Sequence, residues 1–175
     1  ILDLQKGFGA CLVQLIKPKT AGGWLHGQIE HFKPASEALV KEKVTKYNSS
    51  KAYVDYPFVY CMLREEEPDM FGCTAGGTDR FYINAKGDLQ PCEFLNFPFG
   101  NIAVNDFEVM YDKMRKLFDK PGQCLLCEHY AKDIYRLHCE NTSTNLPLTP
   151  ELSEEVYAQW DRGKPTEFYQ KLSDL

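Results

Sequence analysis

The segment Gly72–Phe94, GCTAGGTDRFYINAKGDLQPCEF, places a cysteine on each side of a short strand-like stretch broken by Ala-Lys-Gly. RFYIN (80–84) and DLQPCEF (88–94) read as two strands, and Gly87 between them tolerates a positive φ. The spacing therefore predicts a β-hairpin with a bulge-type turn, and Cys73 and Cys92 at its two ends. Cys124-Leu-Leu-Cys127 follows after a gap of 31 residues, directly behind Pro121 and Gly122. A Cys-x2-Cys turn points two sulfurs the same way and can offer both to one metal. The hairpin pair is the candidate source of the other two. Four thiolates in a tetrahedral arrangement suit either zinc or an iron–sulfur cluster, and spacing alone does not separate them.

Composition narrows the alternatives. The 175 residues include seven cysteines, an odd number, and no stretch of them resembles a secretory leader. That combination argues against a disulfide framework and for metal binding or redox chemistry in a reducing, cytoplasmic setting. A hydrophobic content of 43% with 13% aromatics is that of a folded chain rather than a disordered one. The net charge of -5 leaves no basic stripe for nucleic acid or an anionic membrane surface. No apolar run reaches the roughly 18 residues that span a bilayer.

Along the chain, ACLVQLIKP (10–18) reads as a strand buried on both faces, and YPFVYCML (56–63) as a second. Between them, PASEALVKEKVTK (34–46) has helical spacing, begins at Pro34 and meets Asn48, Ser49 and Ser50 as stop signals. Strand, loop, helix, strand is the rhythm of a parallel α/β sheet or barrel. EEEPD (65–69) is a charged, Pro-containing break. Asn105 is placed to cap a helix running to Lys120, and Thr149 with Pro150 opens another over 149–160. PTEFYQKL (165–172) repeats that opening. The chain starts at Ile1, in what reads as the middle of a fold, so a larger protein is expected upstream.

The pattern Cys-x9–15-Gly-x4-Cys followed by Cys-x2-Cys, here Cys73, Gly87, Cys92, Cys124 and Cys127, resembles the auxiliary-cluster domain of radical S-adenosylmethionine enzymes, of SPASM or twitch type. The full SPASM pattern has seven cysteines and two auxiliary clusters. Only Cys139 remains after Cys127, so the twitch form with one [4Fe–4S] cluster is the nearer match. The resemblance implies an α/β chain in three parts. Residues 1–64 would complete a partial (β/α)6 barrel, 65–140 would form a small α+β cluster domain of hairpin plus helices, and 141–175 a helical extension. It implies that Cys73, Cys92, Cys124 and Cys127 are the ligands, with Cys139 as an alternate. The family's catalytic cluster is held by Cys-x3-Cys-x2-Cys, which leaves one iron open for S-adenosylmethionine. That spacing is absent, so this chain alone is not expected to generate a radical. The implied partners are the N-terminal half of the barrel and a peptide or small-molecule substrate.

A non-catalytic, zinc-stabilised binding module is the competing class, and zinc is also expected in a recombinant fragment that has lost its iron. A thioredoxin-like role for Cys124 and Cys127 is disfavoured, because that motif opens a helix after a strand. TAGGWL (20–25) lacks the Gly-Lys-Ser/Thr ending of a phosphate loop. In a barrel, Lys17, Lys19 and Trp24 would lie on the loop facing substrate. Cys11 and Cys61 read as buried core thiols. His26, His31, His129 and His138 are scattered, and Glu65–Glu67 reads as a solvated loop. Phe81, Tyr82, Phe94, Phe97 and Phe99 are expected to pack around the hairpin.

Overall fold

Two short strands, Leu12–Leu15 (β1) and Phe58–Cys61 (β2), pair in parallel with Leu12 opposite Phe58 and Leu15 opposite Cys61. The computed structural model describes residues 2–19, 33–140 and 147–173. The TAGGWL loop with Trp24, as well as His26 and His31, lies outside them, as does the side chain of His138. The chain divides into two units, the break falling between Glu67 and Pro68; Lys19 belongs with the second.

The first unit holds α1 (Leu2–Gly7), β1, α2 (Pro34–Ser49), β2 and α3 (Met62–Glu65). α2 packs on β2. It runs three residues past the expected stop because Asn48 finds work inside the helix. Its side-chain amide bonds both backbone groups of Val59, accepting the N–H at 3.0 Å and donating to the carbonyl at 2.8 Å. This is the pairing a neighbouring strand would make. Tyr47, at the same end, is buried against Tyr53 and Tyr56.

Two expectations fail in this unit. The strand at 10–18 is not buried on both faces: Leu12, Leu15 and Ile16 are exposed, because among the described residues β1 pairs with β2 alone. Cys11, just before it, is likewise exposed, whereas Cys61 is buried as expected. The acidic run is not simply solvated. Glu65 closes α3, and Glu67 accepts from Lys41 at 2.6 Å and also pairs with Arg64. Partial burial pushes the Glu67 carboxyl up, but the bonds from Lys41 and Arg64 outweigh it and hold its pKa below the usual value.

The second unit begins with β3 (Tyr82–Ile83) and β4 (Leu89–Gln90), an antiparallel pair around Gly87, whose φ is +90°. Asn84 organises the turn, its side chain accepting from the N–H groups of Lys86 and Asp88. Five helices are described after the β4 loop: α4 (Phe107–Leu117), α5 (Leu126–His129), α6 (Ala131–Glu140), α7 (Pro150–Tyr157) and α8 (Glu167–Ser173). The cap of α4 is Asp106, which accepts from the Val109 N–H at 3.2 Å; Asn105 instead accepts from the Asn101 N–H. α4 ends at Leu117 rather than Lys120 because Phe118 leaves helical geometry to enter the core, where it is fully buried. Thr149 caps α7 as expected, but that helix stops at Tyr157. Pro165 does not open α8. It bridges Gly122, and Thr166 behind it is fully buried.

One core holds this unit together. Leu89, Leu95, Phe97, Phe118, Met114 and Leu126 are its most enclosed members, and Leu148 and Val156 bring residues 147–157 into it. α7 therefore shares this packing, whereas α8 contributes no residue to it. Phe97 and Phe118 each meet the Trp160 ring edge-on, at centroid distances of 5.4 and 5.1 Å. Of the aromatics expected around the hairpin, Phe97 and Phe99 are buried, while Phe81 and Tyr82 are exposed, Phe81 beside Phe107 and Tyr111. No helix among the described residues is long and apolar enough to cross a membrane.

Candidate metal centre

The strands of the hairpin are too short to carry both expected cysteines. β4 stops at Gln90, and Cys92 lies in the following turn, bridged to Leu95, whose N–H donates to the Cys92 carbonyl at 3.2 Å. Cys73 is not on the hairpin at all. It precedes a loop that doubles back, and its N–H donates to the Gly122 carbonyl at 2.9 Å. Cys73 is thus tied to the segment that carries Cys124 two residues later. The same loop is tied to the hairpin as well, since the Gly76 N–H donates to the Pro91 carbonyl at 2.8 Å. Segments far apart in sequence are stitched at residues adjacent to three of the four cysteines.

Cys124 is fixed from a third direction. Its N–H donates to the Arg162 carbonyl at 3.2 Å, and the Gln123 N–H to the Lys164 carbonyl at 2.9 Å. Cys127 sits on α5, anchored by fully buried Leu126 and by Tyr130 at the helix's end. The Tyr130 hydroxyl donates to the Gln159 carbonyl at 3.0 Å and accepts from the Asp161 N–H. The loop 158–165 was not legible as part of this site. Its sequence, Ala-Gln-Trp-Asp-Arg-Gly-Lys-Pro, carries ordinary turn signals and nothing that marks contact with a cysteine.

Cys73, Cys92 and Cys127 are buried in one core, and Cys124 is half-buried against it. The environments are mutually felt. Burial, then the neighbouring Cys127, push the Cys92 thiol well above its usual pKa; the Phe94 N–H bonded to its sulfur pulls the other way, and Cys73 adds to the rise. Burial and then Cys73 push Cys124 up. Each thiol is therefore near at least one other, in the order Cys127, Cys92, Cys73, Cys124. All are free thiols. Among the described residues, no group of three or more Cys, His, Asp or Glu side chains closes tightly enough to hold a single ion. Cys139 stands apart on the exposed side of α6, its sulfur bonded to the Tyr135 hydroxyl. His129 is exposed beside Tyr130. Lys17 pairs with Glu37 at 3.0 Å, and Lys19 is buried with its ammonium 2.8 Å from Glu128, the residue after Cys127.

Free thiols gathered in an apolar core offer the donor chemistry that soft metals and iron–sulfur clusters take. Residues 73–133 match the family model SPASM, described as an iron–sulfur cluster-binding domain. This segment is thus similar to iron–sulfur cluster-binding domains of SPASM type. The match begins at Cys73, takes in Cys92, Cys124 and Cys127, and ends before Cys139. No curated protein and no solved structure matches the chain significantly.

Proposed function

We propose that Cys73, Cys92, Cys124 and Cys127 hold one auxiliary [4Fe–4S] cluster, and that the chain is the C-terminal part of a radical S-adenosylmethionine enzyme. The observation that supports this most is the convergence of three separate segments, 73–76, 91–92 and 122–124, through backbone hydrogen bonds beside the cysteines. The donor set fits the group. A lone tetrahedral zinc, with Zn–S bonds of about 2.3 Å, needs its sulfurs within about 4 Å of one another. A four-iron core takes its thiolates at wider spacing, so the sulfur separations in the loaded protein distinguish the two.

A cluster so ligated supplies one-electron transfer at a tunable potential. The protein's own residues do the rest. Four thiolates leave no iron open to substrate, so these ligands suit electron relay to or from a peptide or small molecule being modified, not direct substrate binding. Leu89, Leu126 and Phe118 exclude water from the thiols. The Phe94 N–H is already directed at the Cys92 sulfur, a donor that favours the thiolate a metal requires. In the first unit, exposed Leu12, Leu15 and Phe58 on the two-stranded sheet support the reading that further barrel strands cover it in the parent enzyme.

The test is composition. Purified without oxygen, the chain is expected to be brown, with a broad visible absorption band and equal amounts of iron and acid-labile sulfide. A colourless protein with stoichiometric zinc that gains no sulfide on reconstitution contradicts the reading and selects the zinc-stabilised module.

A further inference from the structure

Arg162 lies in the loop between α7 and α8, with its side chain only 15% exposed. Its carbonyl holds the Cys124 N–H, so its backbone is fixed at the edge of the thiol group. Nη1 makes two long bonds, 3.4 Å to the Leu117 carbonyl and 3.4 Å to the Asp119 carboxylate. The guanidinium carbon stands 5.1 Å from the centre of the Phe118 ring. Nε and Nη2 are both buried and have no hydrogen-bond acceptor among the described residues. Burying charged N–H groups without acceptors is costly, so such donors persist where an acceptor completes them. The direction is indicated by the backbone: the Arg162 carbonyl holds the Cys124 N–H, so the two orphaned donors are carried at the edge of the thiol group.

We infer that Arg162 is a positioning residue for the iron–sulfur centre, its Nε–H and Nη2–H groups donating to sulfur on the Cys124 side and raising the reduction potential of the cluster. The inference rests on the cluster reading above. A cluster bound by four thiolates is anionic and gains a further negative charge on reduction. A fixed cation and N–H···S bonds stabilise the reduced form more than the oxidised one, and a dry surrounding leaves that effect little screened. Arginine suits the place better than lysine because its planar fork directs two donors at once and keeps its charge when buried.

The experiment is a redox titration of the cluster-loaded full chain, wild type beside Arg162→Gln and Arg162→Lys, with iron content and melting curves measured on each. Arg162→Gln is expected to shift the reduction equilibrium at least tenfold toward the oxidised form, about 59 mV for one electron. Arg162→Lys, which keeps the charge but loses the fork, is expected to fall between the two. An unchanged potential in Arg162→Gln at wild-type iron content overturns the role of Arg162 and leaves the cluster reading intact. A wild-type chain that takes up no iron and sulfide overturns both. Should Arg162→Gln lose its cluster, Arg162→Lys decides: a lowered potential supports the inference and an unchanged one overturns it.

Discussion

Gly76→Ala is expected to destabilise the cysteine-bearing unit by about 4 kcal/mol, a fall in melting temperature on the order of 15 °C. Two costs add at this position. The φ of Gly76 is +80°, which an L side chain adopts only with strain. A Cβ there would also stand 2.1 Å from Cγ of Phe118, a ring that is fully buried and pressed against Phe99 and Trp160. Neither side can give way easily. The Gly76 N–H is committed to the Pro91 carbonyl, and Arg115 reaches across to the Gly76 carbonyl at 3.0 Å. Phe118→Leu, which removes part of the ring, should by itself cost roughly 1–2 kcal/mol and should reduce the penalty of Gly76→Ala when the two are combined. Strictly additive penalties, measured by denaturant unfolding, would show that the ring contact does not matter. Because Gly76 links the Cys73 loop to the residue before Cys92, the variant is also expected to lose cluster content.

Serine at Cys73, Cys92, Cys124 or Cys127 should remove most of the bound iron and the visible band, while serine at Cys11 or Cys139 should leave both unchanged. The contrast follows from placement. The first four thiols line one core, whereas Cys11 and Cys139 are exposed elsewhere. Loss of metal rather than unfolding is the expected defect, since replacing a cysteine by serine changes volume little; the metal-free forms should lie within about 2 kcal/mol of wild type without metal. The largest losses are expected at Cys92 and Cys73, the two inner members of the order Cys127, Cys92, Cys73, Cys124. Full colour in Cys92→Ser, or its disappearance in Cys139→Ser, would reassign the ligands.

What the sequence made legible was local. Gly87 announced a turn with positive φ, Pro34 and Thr149–Pro150 announced helix starts, and the cysteine spacing announced a thiol group. Each of these signals acts within a few residues. The errors came from choices that tertiary packing makes. Asn105 and Asp106 are equally good caps by type, and only the bond of Asn105 to the Asn101 N–H assigns the role to Asp106. Phe118 continues a good helical pattern, yet its ring is drawn into the core and ends α4 early. Cys73 was expected at the entry to the hairpin, but it joins the group through Gly122, nearly fifty residues away, which no periodicity reports. Arg162 was invisible for the same reason: a charged residue in a Gly- and Pro-bearing loop reads as solvated until its neighbours are known.

The geometry of the thiol group is tested most directly by crystals grown without oxygen and measured on both sides of the iron absorption edge. The account predicts one anomalous peak, present only above the iron edge and enclosed by the sulfurs of Cys73, Cys92, Cys124 and Cys127. A peak that appears only at the zinc edge, or an iron peak ligated by Cys139 or Cys11 in place of one of these four, would contradict it.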